Sequence, residues 1–225
     1  MRFVHHPEAA AYAPLPSAWP EFLLHDALSN RYWSRLTTDF PSFQFLAVDG
    51  DEVVGEANCV PVRGMPKQWR DAFPNAFEGA GDPDRVCALA IIVAAGRRGT
   101  GLSATILGHM REVAAPYGSL VAPVRPTLKA RYPLIPIGEY VGWRRPDGTH
   151  FDPWIRTHER AGGRMLGPAE GAMEIEGSRE EWQSWTGLEF PGDGDYVVPG
   201  ALAPVRFADG RGVYREPCVW VEHAV

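Results

Sequence analysis

From Arg85 to Val93 the chain runs apolar without interruption and leads straight into Ala94-Ala95-Gly96-Arg97-Arg98-Gly99-Thr100-Gly101-Leu102-Ser103. A half-exposed strand alternates polar and apolar side chains, so an unbroken run of this kind predicts a strand buried on both faces. Beyond the turn, Leu102, Ile106, Met110 and Val113 share one stripe of a helix that continues to about Ala115, with Pro116 as its stop. Ser119 to Val124 then predicts another short strand. The order strand, glycine turn, helix, strand is one βαβ unit, and it fixes the middle of the fold.

The turn carries the chemistry. Where a buried strand gives way to a helix, the first helical N–H groups have no partner within the helix and point outward. With the positive end of the helix dipole they form a site for phosphate oxygens. Glycine there keeps side chains out of the ligand's way and permits φ > 0. Arg98-Gly99-Thr100-Gly101-Leu102-Ser103 has that composition in that place. No Gly-Lys-Ser/Thr follows, so it is not a Walker loop. Position 104 is Ala, which breaks the dinucleotide pattern G-x-G-x-x-G. A glycine-rich turn that binds nothing is the plainer alternative.

Around this unit the chain reads as mostly antiparallel. The first 20 residues, rich in Pro and Ala, predict an irregular arm or an edge strand. A helix is expected from about Pro20 to Asp39, with Phe22, Leu23, Ala27, Tyr32, Trp33 and Leu36 at roughly helical spacing. Phe43–Val48 and Val53–Val60 flank Asp49-Gly50-Asp51-Glu52 as a hairpin. Arg63 to Pro83 predicts a long loop with one short helix, a length that often carries function. Later helices are expected around Pro136–Trp143, Asp152–Ala161 and Ser178–Trp185, and strands around Met173–Ile175, Tyr196–Val198 and Cys218–Val221.

Composition bounds the function. With 45% hydrophobic residues, a chain of 225 can bury its own core as one domain. A net charge of −6 argues against nucleic acid as a partner. No apolar run is long enough to cross a membrane, and the N-terminus lacks a signal-peptide pattern, which predicts a cytoplasmic protein without a membrane partner. Cys59, Cys87 and Cys218 are odd in number and sit in apolar settings, as reduced buried thiols do. His5 and His6 have no carboxylate or thiol at ligand spacing, so no metal is expected.

Arg98-x-x-Gly101-x-Ser103 resembles the acyl-CoA signature of the GNAT superfamily, Arg/Gln-x-x-Gly-x-Gly/Ala, with serine in the last position. Val93-x-Ala95-x-x-Arg98 is similar to the Val-x-Pro-x-x-Arg that leads into it. Val121-Ala122-Pro123-Val124-Arg125 with Tyr132 seven residues later is a looser match to the family's strand, polar residue and helical tyrosine. The resemblance covers roughly Phe22 to Tyr132. It implies an α/β, mixed α+β fold: a twisted, mostly antiparallel sheet with a splayed parallel strand pair and flanking helices. The whole chain, 1–225, is then a single such domain with a C-terminal elaboration from about 133–225.

The activity implied is acetyl transfer from acetyl-CoA to a small-molecule amine by direct attack in a ternary complex, with coenzyme A as co-substrate and no metal. A silent CoA-binding domain, a longer acyl group and malonyl-CoA decarboxylation are the alternatives, and a homodimer is compatible with all of them. The family pattern assigns CoA to Leu89, Ala90, Ile91, Ile92 and Val93 through strand N–H groups. It also assigns CoA to Arg97, Arg98, Gly99, Thr100, Gly101, Leu102 and Ser103 through the turn. Tyr132 is the expected proton donor to the departing thiolate, or else a packed ring. Glu56 is the expected base if partial burial raises its pKa, or else a solvent-facing strand residue. Trp69 and Tyr140 are expected at the acceptor, Asp26 there or else as a helix cap or surface pair with His25, and His109 on the surface.

Overall fold

The computed structural model describes residues 1–16 and 19–225. Two sheets share the chain: seven strands in the order β1-β2-β3-β4-β5-β11-β6, and four in the order β7-β10-β9-β8. In chain order the first half supplies β1 (Arg2–His5), α1 (Ala27–Trp33), α2 (Leu36–Asp39), β2 (Gln44–Asp49), β3 (Glu52–Val62), α3 (Ala72–Glu78), β4 (Arg85–Val93), α4 (Leu102–Ala114) and β5 (Ser119–Val124). The second half supplies α5 (Ile137–Tyr140), α6 (Pro153–Arg160), β6 (Arg164–Ala169), β7 (Glu174–Ser178), α7 (Arg179–Thr186), β8 (Gly194–Tyr196), β9 (Val205–Ala208), β10 (Arg211–Arg215) and β11 (Cys218–Ala224).

β4 is central because nothing in Val86 to Ala90 needs water. Alternate side chains serve different layers: Val86 and Ala88 pack with Ile106, Leu107 and Met110 of α4, whereas Cys87 and Leu89 pack with Tyr32, Trp69 and Phe73 on the other face. Gly55 on β3 lets α4 approach closely, since a Cβ there would stand 2.4 Å from the Ile106 Cδ1. Gly55 and Ala57 therefore face α4, and Glu56 faces the opposite side.

One break in register shapes the sheet. Asn58 pairs with Ala90 and Cys59 with Ala88, so Leu89 is the extra residue of a bulge. On the other edge, β4 and β5 are parallel and pair only at Val86↔Leu120 and Cys87↔Val121. Beyond Cys87 the two strands splay apart.

The segment expected as one helix from Pro20 to Asp39 is instead a 3₁₀ turn over Glu21–His25 followed by α1 and α2. Asp26 causes the break: it is extended, and its side chain caps α1 by accepting from the Ser29 N–H at 2.7 Å. The expected N-terminal arm includes the edge strand β1, and its residues 17–18 lie outside the described residues. Tyr132, expected on a helix, ends a 3₁₀ turn over Lys129–Arg131. The second sheet builds its own core from Trp182, Phe190, Phe207 and Tyr214, closed by Phe22 and Leu23 of the N-terminal arm.

Candidate active site

The gap between β4 and β5 opens into a cleft of about 750 Å³. One wall is β4 from Ala88 to Val93, continued by Arg97, Arg98, Gly99 and Gly101 and by Leu102 and Ser103 of α4. The facing wall is Ala122 to Arg125, and α6 covers it with Trp154, Arg156, Thr157, His158 and Arg160. The sequence-predicted cofactor residues thus gather on one side of a single cleft, apart from Thr100. That hydroxyl donates to the Arg97 carbonyl at 2.7 Å and braces the turn.

The turn has the polarity that its composition suggests. Gly101 caps α4 at φ +87°, and a Cβ there would meet no protein atom within 4 Å, so the space in front of it is open. Among the described residues, the N–H groups of Gly101, Leu102 and Ser103 find no backbone acceptor, whereas Ala104 and Thr105 donate back to the Gly101 carbonyl. Three free donors at the start of a 13-residue helix suit a pyrophosphate. The two arginines differ. Arg97 is engaged by Asp49 at 3.0 Å and Glu52 at 3.2 Å, while Arg98 makes no ion pair among the described residues.

A second cavity, about 150 Å³, lies on the other side of the splay. Leu23, Leu24, Trp33, Trp69 and Met173 give it apolar walls, and Ser29, Asn30 and Glu216 its polar groups. Trp19, Leu89, Ala90, Pro123 and Arg125 line both spaces, so the cleft and the cavity meet at the bulge.

The expected acceptor and catalytic residues separate. Trp69 lines the small cavity, and its Nε1 donates to the Leu89 carbonyl at 3.0 Å. Asp26 is wholly buried as a helix cap and joins the arm to the second sheet by accepting from the Glu174 N–H at 3.0 Å. Tyr140 is equally buried and donates to Asp152 at 2.8 Å; desolvation first, and then the Asp152 carboxylate, push its phenol up. Tyr132 packs against Trp143 and Phe151, and neither it, Tyr140 nor Asp26 lines either cavity. Glu56 is half-buried opposite Ile92 on the face away from α4, outside both linings. Burial raises its pKa, which the Asn58 side chain partly offsets.

His158 is the group that sequence reasoning missed. It borders the cleft at 2% exposure, its Nδ1 stands 2.9 Å from the Nε2 of the buried His223, and its own Nε2 has no partner. Desolvation drives the His158 imidazole down to about 3 and the His223 imidazole to about 4. Both are therefore neutral at ordinary pH. Among the described residues there is no cluster of three metal-ligating side chains and no helix long and apolar enough to cross a membrane. His109 stacks on Phe3 and bonds to His5 at 2.9 Å, tying β1 to α4.

A sheet whose central parallel pair opens over a glycine-capped helix defines the GNAT class of acyltransferase folds. The chain matches no protein-family model. It is similar to the arginine N-acetyltransferase avaD of Aspergillus versicolor, at 32% identity across 94% of this chain and 87% of the relative. Its fold is similar to the loading GNATL domain of CurA from Lyngbya majuscula, with a TM-score of 0.62 at 15% identity over 99% of this chain and 96% of that one. It is also similar to the GphF GNAT-like decarboxylase, with a TM-score of 0.56 at 17% identity over 100% and 99%. The chain belongs to the GNAT superfamily and is an acetyl-CoA-dependent N-acetyltransferase acting on an amine.

Proposed function

We propose that the cleft between β4 and β5 holds acetyl-CoA and that the acceptor, a small amine of the size of an amino acid, enters through the 150 Å³ cavity. The observation that carries this reading is the shared wall at Leu89 and Ala90, where the two spaces meet. Arginine is the first acceptor to try, because the avaD relative is named for it.

In this reading the N–H groups of Gly101, Leu102 and Ser103 hold the pyrophosphate, and Arg98, free of carboxylate partners, adds the cation. Arg160 on α6 faces the same cleft and also lacks an ion pair among the described residues, so it serves an outlying phosphate better than the occupied Arg97. Bound acetyl-CoA supplies the activated acetyl group. Beyond Cys87 β4 has no pairing with β5, so its N–H groups along the cleft edge are left free to polarise a carbonyl. His158, rather than Tyr132, stands in the cleft wall, backed by its bond to His223. Glu56, with its raised pKa and its place on the acceptor face, takes the amine proton through water. In this reading 1–225 acts as one unit, and Met173 and Glu216, which flank strands β7 and β10 of the second sheet, form part of the acceptor wall.

Thiol release from acetyl-CoA with amino acids and simple amines, followed by mass spectrometry of the product, tests this. Release that tracks acetylation of the amine supports it. Thiol release with no acetylated product, or binding of CoA with no turnover for any amine, would set it aside.

A further inference from the structure

Arg125 has no place in that scheme, yet it borders both spaces where they meet. It follows the end of β5 and is fixed from two sides. Its Nε donates to Glu216, and its Nη2 donates to the Gly200 carbonyl at 2.5 Å. Glu216 is 1% exposed, and its second oxygen accepts from the Tyr214 hydroxyl. The carboxylate is thus engaged at both oxygens, whereas the Nη1 of Arg125 donates to nothing among the described residues. The spare capacity at the junction is a donor.

A second cation reinforces it. Lys129 is wholly buried and donates to the carbonyls of Leu202 at 2.6 Å and Tyr132 at 2.8 Å, bonds that favour its charged form against the burial that lowers its pKa. Glu216 is the one carboxylate that both cations face. Lys129 lines neither space, but it shares Glu216 from behind, so that carboxylate does not saturate Arg125 and the free edge of the guanidinium is left for a partner at the junction.

We propose that Arg125 receives a carboxylate carried by the acceptor. Because Arg125 stands with Leu89 and Ala90 at the meeting point, that carboxylate belongs to the carbon bearing the attacking nitrogen. The acceptor is an α-amino acid acetylated on its α-amine. Its side chain then runs into the 150 Å³ cavity between Trp33, Trp69 and Met173, a space comparable to one that holds a benzene ring. This rests on the small cavity being the acceptor site.

The test is calorimetry on the full chain saturated with CoA, using amino acids against their decarboxylated counterparts: L-arginine and agmatine, L-lysine and cadaverine, L-phenylalanine and phenethylamine. At least one amino acid should bind about tenfold or more tighter than its partner amine. The double variant Arg125→Met with Glu216→Gln removes the ion pair whole, leaves Lys129 its two carbonyl acceptors, and should close that gap to about twofold, with CoA affinity unchanged. If that variant does not fold, Arg125→Lys keeps the charge but loses the fork and should narrow the gap several-fold.

Amines that bind as tightly as their amino acids, or a gap that survives in the variants, overturn the role of Arg125. A loss of CoA affinity in the variants overturns it as well, since the guanidinium would then serve the cofactor. No binding by any member of any pair overturns the small-cavity reading along with it.

Discussion

The indole N–H of Trp69 donates to the carbonyl of Leu89, the one residue of β4 that the bulge leaves without a partner on β3. A side chain in the wall of the small cavity therefore holds the backbone that also lines the cleft. Trp69→Phe keeps most of the ring and removes the donor, leaving a buried carbonyl unpaired. Stability should fall by about 1–3 kcal/mol in urea unfolding. The amine KM should rise several-fold, and CoA affinity should change little. A variant of wild-type stability with an unchanged amine KM would show that neither role belongs to Trp69.

Gly101 adopts φ +87°, a conformation that a β-branched residue resists. A Cβ there meets no protein atom within 4 Å, so Gly101→Val should strain the turn without disturbing the core, and it should block the approach of phosphate oxygens. CoA affinity should drop at least tenfold, about 1.4 kcal/mol. Unchanged affinity in a folded variant sinks the phosphate assignment for this turn.

The legible parts of the chain are those where local pattern and burial agree. β4 and β5 fall where their apolar runs lie, because β4 is covered on both faces and glycine marks its end. The acceptor cavity is the opposite case. Its walls come from residues near 23–33, from Trp69, from 172–173 and from 216–218, and no local spacing joins them. Glu216 sits in Arg-Glu-Pro-Cys between two strands and reads as a surface charge until β11 places it against Arg125. Tyr140 and Asp26 carry the groups an acceptor pocket needs, an aromatic and an acid, yet each satisfies a neighbouring polar group inside the fold. Tyr132 stands at the family's spacing from Arg125, but here an inserted turn and aromatic cluster precede α6. The cleft wall holds His158 instead.

Tyr132 and His158 can be separated by kinetics. Tyr132 lines neither cavity, so Tyr132→Phe should leave kcat close to wild type. His158→Phe breaks the imidazole pair with His223 behind the cleft wall and should lower kcat/KM for acetyl-CoA by about tenfold through the displaced wall. The reverse pattern would return the proton to Tyr132.

Glu56 offers a pH signature. Burial raises its pKa, so the active, ionised form is gained above the ordinary carboxylate range and activity should climb with pH through that ionisation. Glu56→Gln should lower kcat and erase this limb of the profile. A variant that keeps both rate and limb would mean that water alone removes the amine proton.

The buried pair His158 and His223 should make stability depend on acidity. Their folded-state pKa values, about 3 and about 4, lie below the ordinary 6.5, so in acid the unfolded chain binds the protons that the folded chain refuses. The stability that they confer as neutral groups is complete above pH 6.5 and is lost as pH falls from there toward 4 and 3. Each imidazole that stays neutral costs up to roughly 1.4 kcal/mol per pH unit across that window. Raised carboxylates such as Glu216 act in the opposite sense, so the comparison must be between variants and not with an absolute slope. Replacing both histidines with leucine removes the pair without leaving either ring orphaned. Urea unfolding at pH 7 and pH 5 should then show a smaller loss on acidification than in the wild type. An equal loss in both would mean that these imidazoles already carry protons in the folded protein.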